Sequence, residues 1–213
     1  MSKTREMQPS FDLCGGHPAL DFVNSLNNRF REGGPVELLA DYGDLLRFAE
    51  QSSLLDTRQV RRLANSVNPG AAARTLRSAR EMREALAAAA YGSVDGHPPL
   101  AADIRTLERH FHSASGHREL RWERPVANAN GRSAIGWDWG RFETNAEFPL
   151  WILAQTAAQL MMSDAMDRIR ACGVETCRWL FLDTSKNHTR RWCNMRVCRN
   201  RMKARRFQAR REQ

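Results

Sequence analysis

The stretch Cys172-Gly-Val-Glu-Thr-Cys177, followed after fifteen residues by Cys193-Asn-Met-Arg-Val-Cys198, decides how the C-terminal part of the chain folds. Four of the five cysteines of the 213-residue chain lie in these two Cys-x4-Cys pairs. Two such pairs separated by a short insert are typical of a tetrahedral thiolate site for zinc. The sequence therefore predicts one structural zinc ion bound by Cys172, Cys177, Cys193 and Cys198.

The cysteine pairs are also compatible with arrangements that bind no metal in this way. Two disulfides would join the same residues, but the polar stretch Met1–Ser10 shows no secretory signal, which favours a reducing, cytoplasmic compartment. Four unrelated buried cysteines would not account for the paired spacing. His188 could replace one thiolate, although four cysteines already close a structural site. Cys14 is distant in sequence and is expected to be a small buried hydrophobe.

A metal would also solve a folding problem in this segment. About 40 residues bury too little apolar surface to fold alone, whereas structural zinc supplies roughly 10–16 kcal/mol of apparent binding energy. The candidate core of the segment is small and consists of Val174, Trp179, Leu180, Phe181, Trp192, Met195 and Val197.

The excess positive charge of the chain lies on this same segment. Residues 172–213 hold 12 Lys+Arg and 3 Asp+Glu, a net charge of +9, so the remaining 21 basic and 21 acidic residues cancel. Residues 199–211 contain no Gly or Pro and favour a helix. Cations at this density are the expected footprint of phosphate binding, and a solvated tail is the alternative. The predicted nucleic-acid contacts are Arg190, Arg191, Arg199, Asn200, Arg201, Lys203, Arg205 and Arg206.

The segment resembles the CGNR zinc finger found at the C-terminus of bacterial proteins that carry an ABATE domain, a family described as candidate stress-induced transcription regulators. The matching residues are Cys172, Cys177, Trp179, Phe181, Asp183, Ser185, Asn187, Arg190, Arg191, Trp192, Cys193, Met195, Cys198, Asn200, Arg201, Lys203 and Ala204. One position departs from the family, because Arg199 stands where the family has its name-giving Gly. Arg199 would strain the turn if that position has a positive φ; otherwise it adds a phosphate contact.

The N-terminal stretch His17–Arg29 resembles the opening of the ABATE domain. Its polar residues His17, Asp21, Asn24 and Arg29 are candidates for binding a small polar ligand. Helix capping and a salt bridge of Arg29 are the alternative roles.

The rest of the chain is expected to be mainly helical. The predicted elements are a strand at Phe11–Cys14 and helices at Pro18–Arg29, Val36–Gln51, Thr57–Val67, Ala71–Tyr91, Leu100–His112 and Glu147–Ala171. Alternating patterns at Arg118–Arg124 and Ser133–Trp139 predict a β-hairpin. The tryptophans Trp122, Trp137 and Trp139 are expected to cover a sheet face against helices rather than to line a pocket.

The predicted fold is therefore mainly α with a small β-hairpin: a helical domain at residues 11–168 and a treble-clef-like zinc finger at residues 169–213. No run of 18 apolar residues occurs, so no membrane span is expected. The last predicted helix would run directly into the metal site and couple the two parts.

Three functions are compatible with these observations. The resemblance implies a DNA-binding transcription regulator whose helical domain senses a small molecule or forms a homodimer. A zinc-binding protein that associates with RNA or the ribosome would carry the same charges. An enzyme is the least favoured class, because four thiolates leave zinc no open coordination position.

Overall fold

The structure is a computed structural model, and it describes residues 10–123, 134–140, 144–200 and 202–204. The fold is mainly α, as the sequence predicted, and the described residues contain three small antiparallel strand pairs where the sequence predicted a single β-hairpin. None of the helices in these ranges is long and apolar enough to cross a membrane. The N-terminal segment and most of the predicted C-terminal helix, including Arg201, Arg205 and Arg206, lie outside the described residues.

The described residues of the N-terminal part of the chain form six α-helices. They are α1 (Pro18–Asn24), α2 (Tyr42–Gln51), α3 (Thr57–Ser66), α4 (Pro69–Asp95), α5 (Ala101–Gly116) and α6 (Phe148–Met161). The strand pairs are β1 (Leu26–Asn27) with β2 (Val36–Glu37), β3 (Glu119–Glu123) with β4 (Ala134–Asp138), and β5 (Ile169–Ala171) with β6 (Leu180–Leu182). A 3-10 helix at Asp164–Arg168 precedes β5, and a π-helical turn at Met195–Arg199 follows the second cysteine pair.

The long helix α4 is the centre of the helical part. Pro69 opens it, and the Asn68 side chain accepts a hydrogen bond from the Ala71 N–H (2.9 Å), which is the usual chemistry of a helix start. Its buried alanines, such as Ala79 and Ala85, leave room for helices to approach closely. Helices α1, α2, α5 and α6 all pack against α4.

The prediction of one helix over Val36–Gln51 was wrong at its start. Val36 and Glu37 form β2, and the helix begins only after Asp41, whose side chain accepts from the Asp44 N–H (2.8 Å). Asp44 in turn accepts from the Asp41 N–H, which completes a capping box. This acidic pair was the signal that the sequence analysis missed. The predicted strand at Phe11–Cys14 was also wrong, since these residues form neither helix nor strand.

The prediction of one helix over Glu147–Ala171 was wrong in its second half. Helix α6 ends at Met161, and the Ser163 hydroxyl donates to the Leu160 carbonyl (2.8 Å), which closes the helix end. The chain then forms the 3-10 helix and β5. The metal site is therefore entered from a strand, so the predicted direct helical connection does not exist.

The β5–β6 hairpin joins the two parts of the protein. Ile169 and Leu180 are buried in the core of the helical part, whereas Phe181, next to Leu180, is buried in a second core around the cysteines. The two cores thus share one pair of strands. The division at residue 168 stays a prediction, but the contacts across it are extensive.

Candidate metal centre and nucleic-acid surface

The four predicted zinc ligands lie together. All four sulfur atoms are within 4.8 Å of one another, and the Sγ–Sγ distances are 3.6 Å for Cys177–Cys193, 3.6 Å for Cys193–Cys198 and 3.7 Å for Cys177–Cys198. A tetrahedral zinc ion with bonds of about 2.3 Å requires sulfurs about 3.8 Å apart. The geometry therefore fits one zinc ion held by four cysteines, and His188 is not part of the group.

None of the five cysteines forms a disulfide. Hydrogen bonds from Cys177 and Cys193 lower the pKa of the Cys172 thiol. Hydrogen bonds with neighbouring sulfurs raise the pKa of Cys177 and Cys193, and burial raises the pKa of Cys198, so the cluster itself favours one thiolate, at Cys172. Zinc binding requires the other three thiols to lose their protons as well.

The first cysteine pair is presented by the end of β5 and the turn that follows it. The Cys172 N–H bonds to the Trp179 carbonyl (2.9 Å), which extends the β5–β6 pairing, and the Cys177 N–H bonds to the Val174 carbonyl (2.8 Å). Gly173 lies so close to Trp192 that an added Cβ would be 3.1 Å from the ring. The turn is thereby packed against the second cysteine pair.

The second cysteine pair is held by the π-helical turn, with Cys193 just before its cap residue Asn194 and Cys198 within it. The Asn194 side chain accepts from the Arg196 and Val197 N–H groups (2.9 and 3.2 Å) and so caps this turn. The Cys198 N–H bonds to the Asn194 carbonyl (2.9 Å). One short helical turn thus carries a zinc ligand on its inner side and basic residues on its outer side.

The core around the metal site differs in part from the predicted one. Val174, Trp179 and Phe181 are buried and Trp192 packs against them, as predicted. Met195 and Val197 are each 49% exposed, so they are surface residues. Leu180 packs in the helical part, as described above. Cys14, which was predicted to be a small buried hydrophobe, is half-buried and packs against the cysteine cluster, where it contacts Cys193.

A buried carboxylate holds the loop between the two cysteine pairs. Asp183 is fully buried and accepts from the Ser185 hydroxyl (2.6 Å), the Ser185 N–H (3.0 Å) and the Arg190 N–H (3.0 Å). Burial opposes ionisation, but these hydrogen bonds outweigh it and lower the pKa of Asp183. Asp183 is therefore a structural anion in this loop.

Arg190, one of the predicted DNA contacts, is directed into the fold. Its guanidinium donates to the carbonyls of Trp192 (2.9 Å) and Cys193, and to the Cys14 carbonyl (3.3 Å). It also lies over the Phe181 ring, 4.4 Å from the centroid. With its donors used in this way, Arg190 braces the zinc-binding loop, and the geometry does not support a DNA contact at this residue.

Four of the remaining predicted contacts are on the surface. Arg191, Arg199, Asn200 and Lys203 are exposed. Arg196 is also exposed on the π-helical turn, and it was not among the predicted contacts although it lies between two zinc ligands. We call Arg191, Arg196, Arg199 and Lys203 the basic surface. Within the part of the chain that the structure describes, none of these four side chains forms a salt bridge with an acidic residue.

Arg199 causes no backbone strain at the position where the family has Gly. It lies in the π-helical turn and is not among the non-glycine residues with positive φ in the described ranges, which are Asn28, Ser53, Arg178 and His188. The alternative role of Arg199, as an additional exposed cation, therefore fits the structure.

The polar residues of the N-terminal stretch hold the zinc-binding part in place. Asn24 is buried, and its side chain both donates to the Leu180 carbonyl and accepts from the Leu180 N–H, each at 2.9 Å. Asp21 accepts from the Gly15 N–H (2.7 Å), and the Gly15 carbonyl accepts from the Leu182 N–H (2.8 Å). Both side chains thus connect α1 to β6.

The other two candidates for ligand binding also have partners within the protein. The His17 ring accepts from the Ala19 N–H (3.2 Å) and caps α1, while Arg29 pairs with Glu84. All four side chains therefore have structural roles, and this geometry does not support the predicted ligand site.

Asp21 is the one carboxyl of this set with a strongly shifted pKa. Burial raises its pKa from 3.8 to about 6, the Gly15 hydrogen bond opposes the shift, and the nearby Asp12 adds to it. A Cβ at Gly15 would lie 2.8 Å from the Asp21 Oδ1, so only glycine permits this approach.

The fold and the cysteine site define a zinc-binding protein with a helical N-terminal part and a C-terminal zinc finger. Comparison with known families agrees: residues 16–164 match the ABATE family, described as a putative stress-induced transcription regulator, and residues 168–211 match the CGNR zinc finger. The chain belongs to the ABATE family and carries a CGNR zinc finger. No curated protein matches the chain.

Proposed function

We propose that the protein is a DNA-binding transcription regulator that binds the phosphate backbone through its basic surface. The observation that supports the proposal is the placement of the four exposed cations on the segments that carry Cys193 and Cys198. Zinc fixes these segments, so the cations reach a polyanion without a large loss of conformational entropy on binding. The family description supports the regulatory role and its link to stress.

Within the basic surface, most contacts would go to phosphates, which position a protein without reading sequence. Asn200 is exposed next to Arg199, and its amide could read an adenine edge in the major groove. Four phosphate contacts would make log K fall with log[salt] with a slope of about −3.6 on duplex DNA, at about 0.9 per contact.

The proposal can be tested by measuring duplex affinity by fluorescence anisotropy over a range of salt concentrations. The triple variant Arg191→Ala, Arg196→Ala, Arg199→Ala should lose most of the affinity and reduce the slope by about three. The matched control is Arg58→Ala, Arg61→Ala, Arg77→Ala, which removes the same charge from exposed positions on α3 and α4. Equal losses in the two triple variants would show that net charge alone, and not this surface, attracts DNA.

RNA is the alternative ligand, because the same cations would bind its phosphates. Competition between a duplex DNA and a structured RNA of equal length, at matched salt, distinguishes the two. Preference for the DNA supports regulation of transcription. Preference for the RNA would replace it with a role at RNA or the ribosome.

We propose no catalytic activity for the zinc site. The four sulfurs complete the coordination of the ion, so no position is open for water or substrate. The free thiols also support an environment that is reducing, such as the cytoplasm.

A small-molecule effector is a further part of the proposal, and the candidate place for it is a cleft beside the cysteine cluster instead of the N-terminal polar set. This cleft of about 520 Å³ is lined by Asn27, Asn28, Arg31, Trp179 and Asn194 and also by three of the four zinc ligands, Cys177, Cys193 and Cys198. Part of this volume is therefore the space that the zinc ion would fill. The Trp179 indole N–H is buried and has no hydrogen-bond partner among the described residues. An effector there would contact both parts of the protein. Effectors that stabilise the wild type against heat should fail to stabilise Arg31→Ala.

A further inference from the structure

The β3–β4 hairpin presents an apolar face to solvent. Its register pairs Leu120 with Trp137 and Trp122 with Ile135. Directly paired residues of an antiparallel ladder point to the same side, so these four side chains share one face. They are 62%, 56%, 66% and 64% exposed, respectively. The expectation that these tryptophans cover helices was therefore wrong for Trp122 and Trp137. We call the four residues the hairpin face.

The base of the hairpin is well anchored, so the hairpin face is held in a defined position. Trp139, directly after β4, packs edge-on against Phe148 of α6 with ring centroids 6.1 Å apart. The Arg118 guanidinium, directly before β3, lies over the Trp137 ring (5.1 Å) and the Trp139 ring (5.6 Å). The opposite side of the hairpin is polar and carries an Arg121–Asp138 ion pair (2.9 Å).

We propose that the hairpin face is a homodimer interface, in which it packs against the same face of a second copy of this chain. A two-stranded hairpin with one uncovered apolar face is marginally stable alone. Apolar faces of this kind on soluble proteins mark interaction sites. The symmetric arrangement, with one patch meeting itself, is the commonest form of homodimer.

The charges around the hairpin favour a second copy over an anionic membrane. The hairpin face itself is uncharged. Among the described residues, Arg118 is the charged side chain that lies against it, over the Trp137 ring, whereas Arg121 and Asp138 pair with each other on the opposite side. A lipid-binding surface would be expected to surround its apolar residues with cations. With Arg118 as the one described cation beside it, the uncharged hairpin face lets two copies approach despite the net charge of +9 on each chain.

The exposed area is sufficient for a weak dimer. At about 150–250 Å² for each aromatic side chain, the hairpin face exposes on the order of 500 Å² per chain. Two copies would bury about 1,000 Å² in total, which is at the lower limit for a specific interface. We therefore expect an equilibrium between monomer and dimer at micromolar concentrations.

Sedimentation velocity of the full-length, zinc-loaded protein tests the proposal. The buffer should contain about 0.5 M NaCl, which weakens binding of residual nucleic acid. The wild type should shift from monomer to dimer as its concentration rises. The double variant Trp122→Thr, Ile135→Thr, which keeps residues of high β propensity, should raise the dimer dissociation constant at least about tenfold. The control Arg121→Thr, on the opposite side of β3, should dimerise like the wild type.

A second measurement covers the case in which the double variant loses the hairpin. Amide exchange of β3 and β4 in the wild type should slow as concentration rises, whereas exchange in α3 should not change. A wild type that stays monomeric at about 200 μM, far above a micromolar dissociation constant, would overturn the proposal. So would a dimer that the double variant forms equally well. A monomer whose tryptophan emission shifts to the blue on phosphatidylglycerol vesicles would assign the hairpin face to a membrane instead.

Discussion

Replacement of Asn24 by Ala tests whether the N-terminal helix holds the zinc finger in place. Asn24 is 3% exposed, and its amide makes the only side-chain hydrogen bonds shown to Leu180 among the described residues. The Asn24 amide thus bonds to the backbone N–H and carbonyl of Leu180 on the outer side of β6, as a neighbouring strand would. The substitution leaves one donor and one acceptor of the Leu180 backbone buried without a partner.

The magnitude follows from the two groups that lose their partners. Each buried polar group without a partner costs about 1–3 kcal/mol. The sum for Asn24→Ala is therefore about 2–6 kcal/mol, a large part of the 5–15 kcal/mol that is typical for a domain. The zinc ligands are not touched, so one zinc ion per chain should remain bound.

Urea unfolding followed by circular dichroism measures the change in the free energy of unfolding, and amide exchange reports on Leu180 directly. The matched control is Asn187→Ala, which removes an exposed amide from the zinc finger itself. Asn24→Ala should lower the unfolding midpoint and speed exchange at Leu180, while the control should change neither. A loss below about 0.5 kcal/mol, the usual size of a surface substitution, with unchanged exchange, would refute the bridging role.

Three further predictions concern single residues. The folded protein holds the Asp21 proton more tightly than the unfolded chain, so the contribution of Asp21 to stability is full below pH 3.8 and falls as the pH rises towards 6. Asp21→Asn should abolish this fall and should be about 3 kcal/mol more stable than the wild type in urea unfolding at pH 7. An unchanged pH profile of stability would contradict the raised pKa of Asp21. Cys193→Ser should lose zinc, as measured by elemental analysis, and its zinc finger should unfold. The helical signal in circular dichroism should largely persist. Retained stoichiometric zinc would contradict the four-cysteine site. Arg190→Ala should make zinc easier to remove with a chelator, because the Arg190 guanidinium donates to the Cys193 carbonyl. Arg191→Ala should weaken DNA binding only. The reverse pattern would show that Arg191 supports the zinc site and that Arg190 contacts DNA.

The metal site could be predicted from the sequence because its determinants are local. Zinc coordination needs four sulfurs, and the spacing of the cysteine pairs already limits how they can be arranged. The predicted start of a helix at Thr57 was likewise confirmed, because the Asp56 side chain caps α3 by accepting from the Gln59 N–H, three residues away. The hairpin was confirmed from its alternation, which is a property of neighbouring residues.

The features that sequence could not predict depend on contacts between distant residues. Asn24 and Leu180 are 156 positions apart, and nothing near Asn24 indicates that its partner is a strand of the zinc finger. Arg190 was grouped with the surface arginines because the density of basic residues in a sequence does not show where each side chain points. Only the fold shows that the Arg190 guanidinium donates to carbonyl groups. The exposure of Trp122 was missed for the same reason, because an alternating pattern identifies a face but not what covers it.

The measurement that tests the central claim most directly is the affinity of the intact protein for duplex DNA before and after removal of zinc, in the same buffer. The claim is that one thiolate-bound zinc ion holds the basic surface in the arrangement that binds DNA. We expect the affinity to fall at least about tenfold, or about 1.4 kcal/mol, and to return when zinc is restored. A zinc-free protein that binds the duplex as tightly as the zinc-loaded protein would contradict the account.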